Sequence, residues 1–268
     1  MDKSSIDPFD QFYCMSRKDS HISFSVSEIF RTYGDKTCIR RQALHKFGEN
    51  PTVGTVQAPV SSWGQFEEYQ TSNIVLNISS SSASDTGEIT IEHMTIDGSN
   101  NLTFGTQTVT LQGQTPVALP TAACRWTRMI SATAEVGDVY IYRGTATNGV
   151  PDDLTKVHNQ IRAGFSQSQK AATSIASSNY FVMTTLWADI LKKANASAII
   201  YFRVRQLGED FKVRPKRGVD SSHALNYKFD PYEIIRPNSD IEVYAEALSG
   251  SDNDITAGFD GYLADIIS

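Results

Sequence analysis

The chain has 268 residues, 40% of them hydrophobic and 20% charged, and a net charge of −6. A chain this long buries roughly 75% of its unfolded surface, so its core needs neither disulfide nor metal, and the composition excludes wholesale disorder. The acidic balance argues against a general nucleic-acid binder, which carries a basic field, and no apolar run approaches the roughly 20 residues of a membrane helix.

Cys14, Cys38 and Cys124 are odd in number and widely spaced. They form neither a disulfide framework nor a zinc signature, which suits a protein made in a reducing cytoplasm. The opening "MDKSSIDPFDQFY" is polar and acidic, unlike a secretory signal.

Residues 1 to 60 read as an N-terminal arm, and residues 61 to 268 as the main domain. Within the arm, "SVSEIFRTYG" predicts a short helix, with Ser25 or Ser27 near its start and Gly34 as its stop. The stretch that follows, through "HKFGENPTVGTVQAP", carries Gly, Pro or Asn every few residues and reads as an extended arm or loop.

Strand signals begin near residue 72. "NIVLNIS" leads into the serine-rich turn "SSSSASDTG", then into "EITIEHMTIDGSNNLTFGTQTVTLQG". There Ile89 and Ile91 alternate with Thr90 and Glu92, which puts one row of side chains in a core and the other in water. Met94 and Ile96 fall on the opposite parity, so a bulge near His93 is expected. "CRWTRMIS" and "GDVYIYRGTA" continue the pattern.

Residues 144 to 172 read as a polar connection in which "LTKVHNQI" could make two helical turns. Strands then resume as "NYFVMTTLWADI", "SAIIYFRVRQL", "DFKVRPKR", "HALNYKF", "SDIEVYAEAL" and "ITAGFDGYLADI". Only "LWADILKKA" sets helix against strand. Many short strands with polar turns predict an all-β fold, an antiparallel, jelly-roll-like β-sandwich.

Chemistry-bearing patterns are sparse. There is no GxSxG, SxxK, HExxH, P-loop or GxGxxG, and His21, His45, His93, His158 and His223 are scattered. Neither catalytic residues, nor a cofactor, nor a metal site is therefore expected. Asp252, Asp254 and Asp260 could hold calcium but lack ordered ligand spacing, so a turn is the simpler reading. Glu242 and Glu246 share one strand face, expected to be the solvent face. Trp63, Trp126 and Trp187 would permit sugar stacking, although most aromatic residues fall at core-facing parity.

The strongest charge signal is "FRVRQLGEDFKVRPKR". Hairpin pairing would stack Arg203, Arg205, Lys212, Arg214, Lys216 and Arg217 into a basic stripe opposite Phe211 and Val213. Such a stripe suits an acidic protein surface better than nucleic acid, because no aromatic interleaving shares that face.

The blocks "HKFGENPTVGT", "LNISSSSASDTGEITIEHMTIDGSNNLTFGTQTVTLQGQTPV", "CRWTRMI", "SAIIYFRVRQLGEDFKVR", "YKFDPYEIIRPNSDIEVYAEA" and "ITAGFDGYLADI" run in one order across residues 43 to 268. In that order they resemble a family of tailed-phage virion proteins of the aquatic podophage type. The chain departs from the family pattern where the loop after "ASDT" shortens directly into Gly87 and Glu88, and the first 42 residues have no counterpart.

The resemblance implies a structural, non-enzymatic virion protein, made in the host cytoplasm. It is expected as a capsid decoration (cement) protein, a homo-oligomer such as a trimer, whose partner is the major capsid protein or another virion protein. Neither nucleic acid nor membrane is an expected partner. A tail, neck or fibre-base component, a carbohydrate-binding module, and the shell subunit itself are the alternatives.

Overall fold

The computed structural model describes residues 41–66, 69–191, 195–249 and 252–265. The predicted helix near residues 25–34 lies outside them. Among the described residues the fold is all-β and antiparallel, with one short 3-10 turn at Leu154–Lys156.

Two hydrophobic cores divide the strands into two bodies. The chain begins the first body with β1 (Arg41–Val53) and β2 (Ala58–Pro59). It then builds the whole second body: β3 (Asn77–Ser80), β4 (Glu88–Ile96), β5 (Leu102–Thr110), β6 (Val117–Ala118), β7 (Arg125–Ser131), β8 (Val139–Tyr142), β9 (Ala146–Thr147), β10 (Val150–Pro151) and β11 (Val157–Ile161). It returns to the first body with β12 (Ala172–Ile175), β13 (Asn179–Ile190), β14 (Ser197–Gln206), β15 (Lys212–Asp220), β16 (Leu225–Ile235), β17 (Ser239–Ser249) and β18 (Asn253–Asp265).

The first body is a jelly-roll-like sandwich. One sheet runs β1-β18-β13-β16, and the other β12-β17-β14-β15, with β2 also paired to β17. Alternation does the packing: Ile200, Phe202 and Val204 of β14 enter the core beside Ile241, Val243 and Ala245 of β17. Phe259 sits at its centre, edge-to-face with Phe181 and Phe202 at 5.9 and 5.7 Å between ring centroids. Each such ring contributes about 1.5–3 kcal/mol by burial.

The second body packs the sheet β11-β8-β3-β6 against β5-β4-β7. Its core gathers Ile78, Ile89, Ile91, Met129, Ile141 and the fully enclosed Trp126. The expected bulge is present, because the β4–β7 register shifts between Glu92 and His93. The serine-rich turn is tied down from within: buried Asp85 accepts from Ser80 Oγ and from the Val136 and Gly137 amides, the last two at 2.8 and 2.9 Å.

The two crossings between the bodies lie side by side. Ser61 bridges Lys170, Ser62 N donates to the Gln169 carbonyl at 3.1 Å, and Ala171 N donates to that of Val60 at 3.0 Å.

Several expectations change here. Residues 41 to 60, read as part of an arm, are structural: β1 pairs along β18 from Arg41↔Ala264 to Val53↔Asn253. Gly48 and Pro51 obscured this strand. A Cβ at Gly48 would sit 2.2 Å from the Val60 carbonyl oxygen, so glycine permits the close approach of the neck, and an edge strand tolerates the proline.

"LTKVHNQI" is a 3-10 turn followed by β11, and "LWADI" stays extended within β13. The three aspartates do not converge. Asp252 sits in a positive-φ turn, Asp254 is buried on β18, and Asp260 pairs with His45 Nδ1 at 2.9 Å six residues further along the strand. Among the described residues no group of three His, Cys, Asp or Glu side chains could hold a metal ion.

Candidate functional site

The six cations of the predicted stripe do not form one open surface. β15 gains a residue against β14 between Tyr201↔Lys216 and Arg203↔Val213, so its side chains change face along the strand. Lys212 is exposed and pairs with Glu209 at 2.9 Å, while Lys216 is exposed on the same edge strand. Arg214 reaches Glu233 of β16 at 3.8 Å, and Arg217 stacks 4.0 Å over Tyr227 of that strand. Arg203 and Arg205 turn instead to the outer face of β14, which faces away from the sandwich core.

On that face they meet buried carboxylates. Asp240 of β17 is 0% exposed and takes a two-point contact from Arg125, Nε to Oδ1 and Nη2 to Oδ2, each 3.0 Å. Arg205 Nε donates to Oδ2 at 3.0 Å, and Ser174 Oγ to Oδ1 at 2.6 Å. Arg125 belongs to β7 of the second body and is 1% exposed; its Nη1 also donates to the Gln70 and Cys124 carbonyls, each at 2.7 Å. This pair clamps the two bodies together.

Two residues along β17, Glu242 receives Arg203 Nη2 at 3.0 Å and the Tyr69 hydroxyl at 3.1 Å. Burial pushes its carboxyl up to about 7, against the pull of Arg203 and the Tyr69 hydrogen bond. The face expected to be solvent is therefore covered. Glu246, on the same side, accepts from Tyr201 Oη at 2.6 Å.

Above the carboxylates, cations and rings alternate in a stack. Arg125 lies 4.7 Å from the Tyr69 centroid and Arg205 4.3 Å from it; Arg205 lies 4.5 Å from the Phe211 ring. Arg203 continues the stack at 5.2 Å from Phe211 and 4.1 Å from Tyr244. Phe211, expected opposite the arginines, is thus wedged between two of them. Three guanidiniums over two acidic side chains leave at least one positive charge, which the ring faces spread and stabilise.

A second polar cluster holds the opposite side of the junction. Buried Lys46 of β1 donates to the Thr127 carbonyl at 3.1 Å and lies 3.6 Å from Glu92 Oε2; burial lowers its ammonium to about 8. Buried Lys170 donates to the carbonyls of Trp126 and His158, each at 3.2 Å. Beside them opens a crevice of about 700 Å³ between the bodies. Lys46, Glu92, Arg128 and Gln167 line it together with Met94, Phe104 and Leu263.

Sequence reasoning missed Arg125 and Asp240 as partners, since 115 residues separate them. The available signal was the Arg at the start of the strand "RWTRMIS", beside Trp126. A cation at a core-facing end of a strand requires a counter-charge from elsewhere. Of the tryptophans considered for sugar stacking, Trp126 is fully enclosed, and Trp63 and Trp187 are partly buried.

No protein-family model matches the chain, and no curated protein matches it. Among solved structures it is similar to infectious bursal disease virus, Gt strain, with 10% identity, 95% of this chain and 78% of that chain covered, and a TM-score of 0.26. It is also similar to the CBM22-1-CBM22-2 tandem domain of Paenibacillus barcinonensis Xyn10C, with 9% identity, coverage of 84% and 93%, and a TM-score of 0.24. The VP2 subviral particle of infectious bursal disease virus matches at 10% identity, with 97% and 78% covered and a TM-score of 0.23. Likenesses at this level carry no argument about function, and the sandwich assignment rests on the strand pairing itself.

Proposed function

We propose that this chain is a structural component of a tailed-phage virion, and that it decorates the head shell. One observation supports the reading: three of the sequence blocks that resemble the virion family contribute charged and aromatic residues to the junction. "CRWTRMI" supplies Arg125, "SAIIYFRVRQLGEDFKVR" supplies Arg203, Arg205 and Phe211, and "SDIEVYAEA" supplies Asp240, Glu242 and Tyr244. The resemblance therefore includes residues that join the two β bodies.

Docking follows from the edge of β15. Lys212 and Lys216 are exposed there, beside Arg214, and meet an acidic protein surface while discouraging unwanted strand pairing. Repeated over a lattice, contacts of modest affinity gain by avidity, and a trimer or other ring of copies adds to that gain.

Quantitative mass spectrometry of purified virions tests this directly. One copy per capsid subunit, or one per few, is expected. A handful of copies per particle would move the protein to the tail, neck or fibre base and sink the decoration reading.

A further inference from the structure

The serine-rich turn and the loop after β7 meet at one carboxylate. Asp85, 4% exposed, accepts from Val136 N on Oδ1 at 2.8 Å, and on Oδ2 from Gly137 N at 2.9 Å and from Ser80 Oγ. Its carbonyl extends the junction by accepting from Gly113 N at 2.9 Å. The two backbones touch, since a Cβ on Gly137 would lie 2.5 Å from Ser82 N. A carboxylate offers about four acceptor sites, so these three donors leave room for one more.

The remaining neighbour is a second acid. The Glu135 side chain, 6% exposed, is within hydrogen-bond reach of Asp85 and of Ser131. Its backbone is held by the connection after β11: Glu135 N donates to the Phe165 carbonyl at 3.0 Å, and Gly164 N to that of Glu135 at 2.8 Å.

Among the described residues no cation is among the groups that act on either carboxyl. The serine turn holds no other titratable group, and the β9–β10 hairpin that packs on Ser80 holds none. Glu88, just past the turn, is exposed. Asp138, at the end of the loop, accepts from Ala163 N at 2.8 Å and from Tyr140 Oη at 3.1 Å. Arg162, on the connection, reaches Glu49 at 2.8 Å and lies 5.7 Å over the Phe165 ring.

Two ionised carboxylates in contact repel, so the pair is stable with one proton between them. Burial, and then the Asp85 charge, push the Glu135 carboxyl up. Against burial, the hydrogen bonds from Ser80, Val136 and Gly137 hold Asp85 below its ordinary value. The proton therefore sits on Glu135, which donates to Asp85.

We propose that Asp85 and Glu135 form a proton-operated latch, which ties the serine-rich turn to the loop after β7 while they share a proton and releases it when that proton leaves. The loop carries Val136, 67% exposed, and is bonded to the connection that carries Phe165, 37% exposed. Release thus frees an apolar tip of the second body. Glu135, raised, contributes stability that is full below 4.5 and is lost as pH rises through its folded value. Asp85, lowered, contributes above 3.8 and loses its share as pH falls, so the latch holds best in mild acid. The latch stands apart from the virion reading, since it concerns the monomer.

Amide exchange of the full chain, read residue by residue by NMR and corrected for intrinsic rates, tests it. From about pH 5 to about pH 8, protection of Val136 and Gly137 is expected to fall by about tenfold or more, with β4 and β7 unchanged. Glu135→Gln keeps a donor beside Asp85 but has no proton to lose, so its protection should stay level over that range. Equal wild-type protection at both pH values would overturn the proposal, and so would a fall of the same size in Glu135→Gln. Carbon NMR of the wild-type Glu135 carboxyl adds a check that needs no variant. Its titration is expected to coincide with the loss of protection, and a carboxyl that titrates while the loop stays protected would overturn the latch.

Discussion

Replacing Asp240 with Asn tests the clamp between the bodies most directly. The substitution keeps the shape and hydrogen-bonding reach of the side chain but removes a charge beneath two guanidiniums. Arg125, at 1% exposure, then sits buried beside Tyr69 and loses its two-point carboxylate contact. Arg205 retains partial access to water and suffers less.

Breaking a buried pair from one side costs about 3–5 kcal/mol, because the remaining charge has no outlet. At about 2–4 °C per kcal/mol for a chain of this size, Asp240→Asn should lower Tm by about 6–20 °C in differential scanning calorimetry. Removing both charges, as Arg125→Met with Asp240→Leu, should recover much of the loss, since well-packed apolar groups replace such a pair at little cost. The calorimeter should also show the two bodies melting as separate transitions in the Asn variant. A shift of under about 2 °C with a single unchanged transition would refute the idea that this pair couples the bodies.

Glu242 sets a pH dependence of opposite character. Its folded carboxyl is raised to about 7, so the stability tied to it is full below the unfolded value of 4.5 and is lost as pH rises through 7. Glu242→Gln should flatten the fall in Tm between pH 4.5 and 7, and an unchanged slope would point to another group. Gly149 adopts φ +76°, and a Cβ there would lie 1.8 Å from the Ser80 carbonyl oxygen. Gly149→Ala should therefore destabilise the second body by more than about 1 kcal/mol in urea titration. Lys212→Glu with Lys216→Glu should leave stability within about 0.5 kcal/mol, as exposed sites do. The same pair should weaken binding to purified heads in a sedimentation assay, and undiminished binding would remove the β15 edge from the docking surface.

Most of the strands were legible because alternation reports burial directly: Ile89 and Ile91 and the slip at His93 read correctly, whereas in β8 Tyr140 and Tyr142 are buried along with Val139 and Ile141. β1 was not, because its glycine and proline answer to tertiary demands, the close approach of the neck and a free edge, that local pattern cannot encode. The basic stripe was half legible. Arg203 and Arg205 do share a face, yet whether that face meets water depends on Tyr69 and Phe211, which arrive from loops. The same cover turned Glu242 from an expected solvent residue into a buried acid. Arg125 and Asp240 show the limit most plainly, since each reads as ordinary strand until the insertion brings the two together.

The pairing of β1 with β18 has a consequence for the birth of the molecule. His45 and Asp260 are 215 residues apart, and the strands that carry them are direct neighbours in one sheet. At about 5–20 residues per second, a ribosome takes roughly 10–40 s to make the intervening chain. The second body, wholly contained between the two crossings, can be complete in that interval. β1 must wait without its partner β18, so the nascent chain passes through a period when this strand is aggregation-prone. A ribosome-bound chaperone would have its greatest effect in that period, and slowing translation downstream of residue 171 would lengthen it.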